Sequence, residues 1–221
     1  MIANCSKDEH GKYSGGQAGD QTGKEWAVVK WYNRPWSVVL RYPNRDVARD
    51  IEYIARQAAQ NDMCGYSQSD RLSFYNRLKN ISSWNPANID TACNADCSSS
   101  TSAILIAVGN RLGMRKLKDL SPTLTTKNMK KSLVAAGFTA HVDGIYTGSE
   151  RYLLPGDILL LENHHVTINL DKGAGNSDLY QVATEVRQGK WGNGSSRKNA
   201  LTDAGWNYAE VQAEVNLLCW G

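Results

Sequence analysis

Apolar residues recur along this chain with two periods, and the switches between them divide it into elements. From Asp46 to Gln60, Val47, Ile51, Ile54 and Ala58 fall on one helical face, and Asn61-Asp62 ends the run. Ser69 to Lys79 repeats the helical pattern with Leu72, Tyr75 and Leu78. So does Thr126 to Ala136, with Met129 and Leu133 inward and Gly137 at the position after the helix end. Glu25 to Asn33 is rich in aromatic and β-branched residues and predicts a strand that Arg34-Pro35 breaks. Trp36 to Tyr42 predicts another, ended by Pro43-Asn44. Leu154-Pro155-Gly156-Asp157 is a turn into the continuous apolar run Ile158 to Leu161, which suits a buried strand. Glu162-Asn163 then forms a hairpin tip. The return strand alternates strictly, with Val166, Ile168 and Leu170 on one face and His165, Thr167 and Asn169 on the other.

The stretch with the most chemistry is Ala95-Asp96-Cys97-Ser98-Ser99-Ser100, which leads into an apolar helix striped by Ile104, Leu105, Val108 and Leu112 and ending near Gly113. Asp96 is a good N-cap, which puts Cys97 in the first turn. There the unpaired backbone N–H groups and the helix dipole favour thiolate over thiol, so a depressed Cys97 pKa is expected. A small apolar residue opening a core helix is the plainer alternative. A cysteine nucleophile needs a base, and His165 is the first candidate, because it opens a strand on the face away from the apolar residues. His164 is expected to point to the core side. His10 and His141 have no comparable context.

Composition narrows the class without choosing a chemistry. The 221 residues are 41% hydrophobic and 21% charged, with a formal net charge of +3. That is ordinary for a globular protein and argues neither for nor against nucleic acid. No stretch approaches a transmembrane helix. The first ten residues lack the order of a signal peptide, so synthesis and first residence in the cytoplasm are expected. Five scattered cysteines (5, 64, 93, 97 and 219) speak against a disulfide scaffold. Cys93 and Cys97 have no second Cys/His pair at zinc-like spacing. The glycine-rich stretch 11–23 lacks the Gly-Lys-Ser/Thr ending of a phosphate loop. Lys172 to Ser177 has linker composition, which divides the chain into residues 1–173 and a small unit at 178–221. That unit reads as three short helices: one through Leu179, Val182 and Val186, one over Ser195 to Ala204, and one through Tyr208, Val211, Val215 and Leu218.

Asp96-Cys97-Ser98-Ser99-Ser100, Leu154-Pro155-Gly156-Asp157-Ile158-Leu159-Leu160 and His165-Val166-Thr167-Ile168 together resemble the motifs of papain-like peptidoglycan hydrolases of the NlpC/P60, CHAP and phage amidase type. The resemblance spans residues 96–170. It implies an α+β papain-like fold with Cys97 as nucleophile, His165 as base and the Cys97 N–H in an oxyanion hole. Those families carry a third catalytic residue on the strand after the His strand, whereas here the linker follows. The expectation is therefore a permuted strand order, with Glu25–Asn33 lying beside His165. Glu25 is the first choice for the third residue, since a carboxylate best stabilises an imidazolium, and Asn33, Asp20 and Asn169 stay open. Val182 to Gly194, followed by Arg197, Leu201, Ala204-Gly205-Trp206, Tyr208 and Val211 to Asn216, resembles the Cpl-7 type cell-wall-binding repeat. That likeness implies a three-helix module with Trp191, Arg197 and Trp206 as contacts to muramyl peptide. The combination implies a phage or prophage endolysin cutting peptidoglycan amide bonds, first as a stem-peptide or cross-bridge endopeptidase. An N-acetylmuramoyl-L-alanine amidase and a catalytically inactive wall-binding protein are the alternatives. The reading includes no metal or cofactor, no nucleic-acid partner and no stable membrane association. Access to the wall would depend on a separate membrane-disrupting partner.

Overall fold

A computed structural model describes residues 1–173 and 175–220. The chain opens with three strands, β1 (Ile2–Cys5), β2 (Trp26–Val29) and β3 (Val38–Arg41). Helix α1 (Arg45–Ala59) follows, its first turn capped by the Asn44 side chain, which accepts from the backbone N–H groups of Asp46 and Val47. Next come β4 (Cys64–Tyr66), α2 (Ser73–Leu78), β5 (Cys93–Ala95), α3 (Cys97–Arg111) and the short α4 (Arg115–Lys118). Helix α5 (Met129–Ala136) ends on Gly137 at φ 110°, a left-handed conformation that glycine adopts without strain. Then β6 (Thr139–His141), the short α6 (Gly144–Thr147) and the hairpin β7 (Ile158–Leu161) and β8 (His165–Asn169) complete the larger unit. Three helices close the chain: α7 (Gly175–Arg187), α8 (Gly194–Asp203) and α9 (Tyr208–Trp220). The architecture is mixed α+β with a helical C-terminal region. Among the described residues no helix is long and apolar enough to cross a membrane.

Six strands form one antiparallel sheet in the order β2-β1-β8-β7-β3-β6, while β4 and β5 pair in parallel as a separate ribbon. The N-terminal strand therefore does lie beside the His165 strand, but it is β1, not the Glu25–Asn33 segment. That segment is one place further out. It is also shorter than its composition predicts, because an edge strand extends only as far as its partner, and β1 offers four residues to pair.

The pleat sorts side chains between two clusters. Ala3, Cys5, Val38, Leu40, Val166 and Ile168 face α1 and α3. Ile2, Val39 and Leu159 face the other way, into a cluster shared with Trp36, Tyr146, Tyr152 and the helical residues Leu179, Val182, Val186 and Val215. The segment of linker composition is pinned: the backbone N–H of Gly173 donates to the Leu153 carbonyl at 2.8 Å and that of Gly175 to the Arg151 carbonyl at 2.9 Å. Gly175 already opens α7, and Ala174 lies outside the described residues.

Helix α3 is buried without interruption from Cys97 to Gly109. Its run of hydroxyl residues suits that position, because each one satisfies itself locally. Ser100 and Thr101 donate to the Cys97 carbonyl and Ser102 to that of Ser98, all within 2.9 Å. Leu112, expected on the apolar stripe, is instead the exposed C-cap.

Candidate functional site

Cys97 is the first residue of α3 and is buried. The Asp96 carboxylate accepts from the N–H groups of Ser98 (2.9 Å) and Ser99 (2.7 Å), and the Ser99 hydroxyl accepts in return from the Asp96 N–H at 2.9 Å. This is a capping box. Arg71 clamps it from outside: its Nε lies 2.7 Å from Asp96 Oδ2, and one Nη donates to Ser98 Oγ at 3.0 Å and to the Leu124 carbonyl at 2.7 Å. The Cys97 N–H itself donates to no group among the described residues and is free to meet an oxyanion.

The expected depression of the Cys97 pKa is overturned. Burial, at 8% exposure, and the adjacent Asp96 carboxylate push the thiol up to about 11. The N–H groups of Val166 and Ser98 and the Arg71 charge pull the other way and lose. The helix start is electropositive only until its own cap answers it. The Val166 N–H is nonetheless informative, because it sets the sulfur against the first residues of β8.

His165 opens β8, buried on the face of the sheet that also carries Asn4. Its Nε2 lies 2.9 Å from Asn4 Oδ1. A carbonyl oxygen accepts only, so Nε2 carries the proton and the Nδ1 lone pair is left free to take another. Burial, and then the Arg34 charge, push this imidazole down to about 4. No hydrogen bond joins the Cys97 sulfur to the imidazole among the described residues. His164 does not point to the core: it is exposed in the hairpin turn, where Asn163 has φ 67°.

The loop after β2 covers His165 and Asn4 with two of its side chains, Tyr32 and Trp36. The Tyr32 hydroxyl donates to Asn4 Oδ1 at 3.4 Å. Trp36 stacks on the imidazole, with centroids 6.2 Å apart and planes 29° apart, and Tyr32 packs on Trp36 at 6.1 Å. Arg34 lies between them in sequence, and its charge opposes the rise in the Tyr32 pKa that burial causes.

Glu25 is not the partner of His165. Both its oxygens are occupied, accepting from the N–H groups of Gln21 (2.8 Å) and Tyr66 (3.2 Å), and burial raises its pKa. Its position follows from β2 being the outer strand. The rivals are accounted for as well. Asp20 caps its own loop, accepting from the N–H groups of Thr22, Lys24, Glu25 and Trp26. Asn33 is exposed in the loop. Asn169, at the far end of β8, donates to the carbonyls of Leu154 and Asp171. Asn4 was missed because four residues of N-terminal strand are too few to show a period. The open edge of the His165 strand was the one available signal.

Asp157 of the Pro-Gly-Asp turn is structural: Arg41 grips it with two bonds of 2.8 and 2.7 Å, and it accepts from the Leu154 N–H. In the helical region, Trp191 and Trp206 are partly buried against the shared cluster, and Trp191 Nε1 donates to Glu185 at 2.9 Å. Arg197 is half-buried with its Nε unpartnered. Asp8, Glu9 and His10 bring three ligand atoms within 4.8 Å of one another. There Asp8 is already used as a loop cap by the N–H groups of His10 and Lys12. Two clefts, of about 420 and 330 Å³, lie at the Asn169 end of β8 and between α6 and α9, and neither is lined by Cys97 or His165.

Comparison with known proteins yields no match among curated proteins or solved structures. Two family models do match, the endolysin-like domain over residues 2–176 and the CW_7 repeat over residues 180–219. The first covers Asn4, Cys97 and His165, and the second covers Trp191, Arg197 and Trp206. The chain belongs to the endolysin-like domain family and carries one CW_7 cell-wall-binding repeat, which makes it an endolysin directed at peptidoglycan.

Proposed function

We propose that the protein hydrolyses amide bonds of peptidoglycan through a papain-like Cys97–His165–Asn4 arrangement, as a stem-peptide or cross-bridge endopeptidase. The observation that carries this reading is the 2.9 Å contact between His165 Nε2 and Asn4 Oδ1, made under Trp36 on the strand that abuts the Cys97 helix. Asn4 fixes the tautomer, so Nδ1 takes the thiol proton as the sulfur attacks the carbonyl. The Cys97 N–H meets the oxyanion, and the imidazolium gives its proton to the departing amine. Water then cleaves the thioester, with His165 again as base. With the thiol near 11 and the imidazole near 4, the resting pair is neutral, and the proton moves during attack rather than before it.

The same raised thiol favours a second reading, a wall-binding protein without hydrolytic activity. Purified walls incubated with the full chain and with Cys97→Ser separate the two. Released fragments with new peptide amino termini, produced by the wild type and lost in the variant, are the expected result. Cleavage at the lactyl amide would instead identify an amidase. Equal inertness of both proteins on walls from several bacteria would reject hydrolysis.

A further inference from the structure

The loop over His165 contains a charge that the triad does not need. Arg34 is half-buried between Tyr32 and Trp36, with Trp36 donating its backbone N–H to the Arg34 carbonyl at 2.5 Å. Four other arginines with covered side chains each hold a carboxylate: Arg41 with Asp157, Arg56 with Glu52, Arg71 with Asp96 and Arg111 with Asp50. Arg34 holds none within 4.0 Å among the described residues, and its charge acts on the neighbouring Tyr32 phenol, which stays neutral near pH 7. A half-buried guanidinium fork that lacks an acid, in the segment whose flanking aromatics cover the base, has the chemistry of a carboxylate receptor. Its position beside the base also costs catalysis something while the site is empty, since a positive charge there opposes protonation of His165.

We propose that Arg34 docks a free carboxylate of the substrate peptide next to the scissile bond, which makes the enzyme selective for acidic over amidated wall peptides. This rests on the hydrolase reading above. Wall stem peptides alternate between a free carboxylate and a carboxamide at their glutamyl residue, so the selection is between real chemical variants of one polymer. Docking also answers the Arg34 charge, so the base strengthens when the anion arrives. Other groups acting on the ring sit where they do not compete: Asn4 and Tyr32 on β1 and the loop are neutral near pH 7, and Cys97 is held as thiol.

The test uses the full chain with Cys97→Ala, so that binding is read without turnover. The probes are synthetic L-Ala-γ-D-Glu-L-Lys-D-Ala, its glutamyl α-carboxamide and its C-terminal carboxamide, titrated by calorimetry. One amidation is expected to weaken binding about tenfold. Adding Arg34→Gln should weaken binding of the free acid by a similar factor and leave that amide unchanged, and Arg34→Lys should restore part of the preference. Equal affinity for all three peptides, or an equal loss on all three in Arg34→Gln, would overturn the proposal. Thermal melts of each variant exclude misfolding as the cause. Hydrolysis by the wild type with equal affinities would refute Arg34 alone, whereas selective binding without hydrolysis would refute the hydrolase reading alone.

Discussion

The two sides of the candidate site are built in opposite ways. At the start of α3, nearly every polar group finds its partner within four residues: the Asp96 cap, the Ser99 reply, and the Ser100 and Thr101 hydroxyls on the Cys97 carbonyl. At the start of β8, none of the groups that define His165 is local. Asn4 lies 161 positions away in sequence, and Tyr32, Arg34 and Trp36 come from a loop more than 120 positions earlier. One side is a self-contained motif, and the other exists only once the sheet has assembled. The surroundings of Cys97 should therefore tolerate distant change, whereas those of His165 should be lost when the N-terminal strand is disturbed.

The sharpest way to break this contrast is Asn4→Ala. Removing the acceptor frees the imidazole to rotate and to choose the wrong tautomer. We expect kcat on wall peptides to fall about a hundredfold, corresponding to about 2.7 kcal/mol of lost transition-state stabilisation. KM should barely change and the melting temperature should drop only slightly, since β1 keeps its backbone ladder. Asn4→Asp should recover part of the rate. Rates within threefold of wild type for Asn4→Ala would show that β1 only holds the sheet together.

The same division explains what could be read from the sequence. Asp96, Cys97 and the α3 helix were legible because an N-cap, a first turn and an apolar run are all local signals. The β7–β8 hairpin and the placement of His165 on the polar face were legible for the same reason. The strand beside β8 was not, because pairing across 160 residues leaves no trace in a single chain's periodicity. The Cys97 pKa was misjudged on a different ground: the helix dipole was weighed, while burial and the charge of the cap itself were not. The C-terminal helices were legible as elements, but their packing onto the second sheet face left no local signal to read.

A second way to sharpen the contrast is pH. His165 titrates near 6.5 when unfolded and near 4 when folded, so between those values the unfolded chain binds more protons and stability falls as pH falls. From pH 7 to pH 5 this amounts to about 2 kcal/mol for His165. His141, also pushed down to about 4 by burial and then by Arg41, adds a similar loss. Glu25 and Glu214, both raised by burial, oppose the trend in the window just above the ordinary carboxylate range. Urea unfolding of His165→Gln against wild type isolates the term: the variant should lose about 2 kcal/mol less over that interval. Parallel curves would mean that the imidazole is solvated in the folded state.

On the Cys97 side, Asp96→Ala removes the cap and leaves Arg71 without its carboxylate. A destabilisation of about 1–2 kcal/mol is expected in denaturant titrations. The thiol should at the same time become easier to ionise, because the charge that raises its pKa is gone. Thiol alkylation rates against pH measure this directly, and the midpoint should move down from about 11. A midpoint that stays put would assign the raised pKa to burial alone.

The smallest expected effect is the one that separates β1 from β2. In Glu25→Gln, one amide oxygen must replace a carboxylate that now accepts two backbone N–H groups, from Gln21 and Tyr66. Losing one of these bonds costs stability, about 1 kcal/mol. The raised pKa works the other way, since replacing a desolvated carboxylate by a neutral amide relieves part of its burial cost. The net change in stability should be under about 1 kcal/mol, and the hydrolytic rate per folded molecule should stay within twofold. A rate loss comparable to that of Asn4→Ala would mean that the outer strand carries catalytic weight after all, and the separation drawn between the local and assembled halves of the site would have to be redrawn around β2.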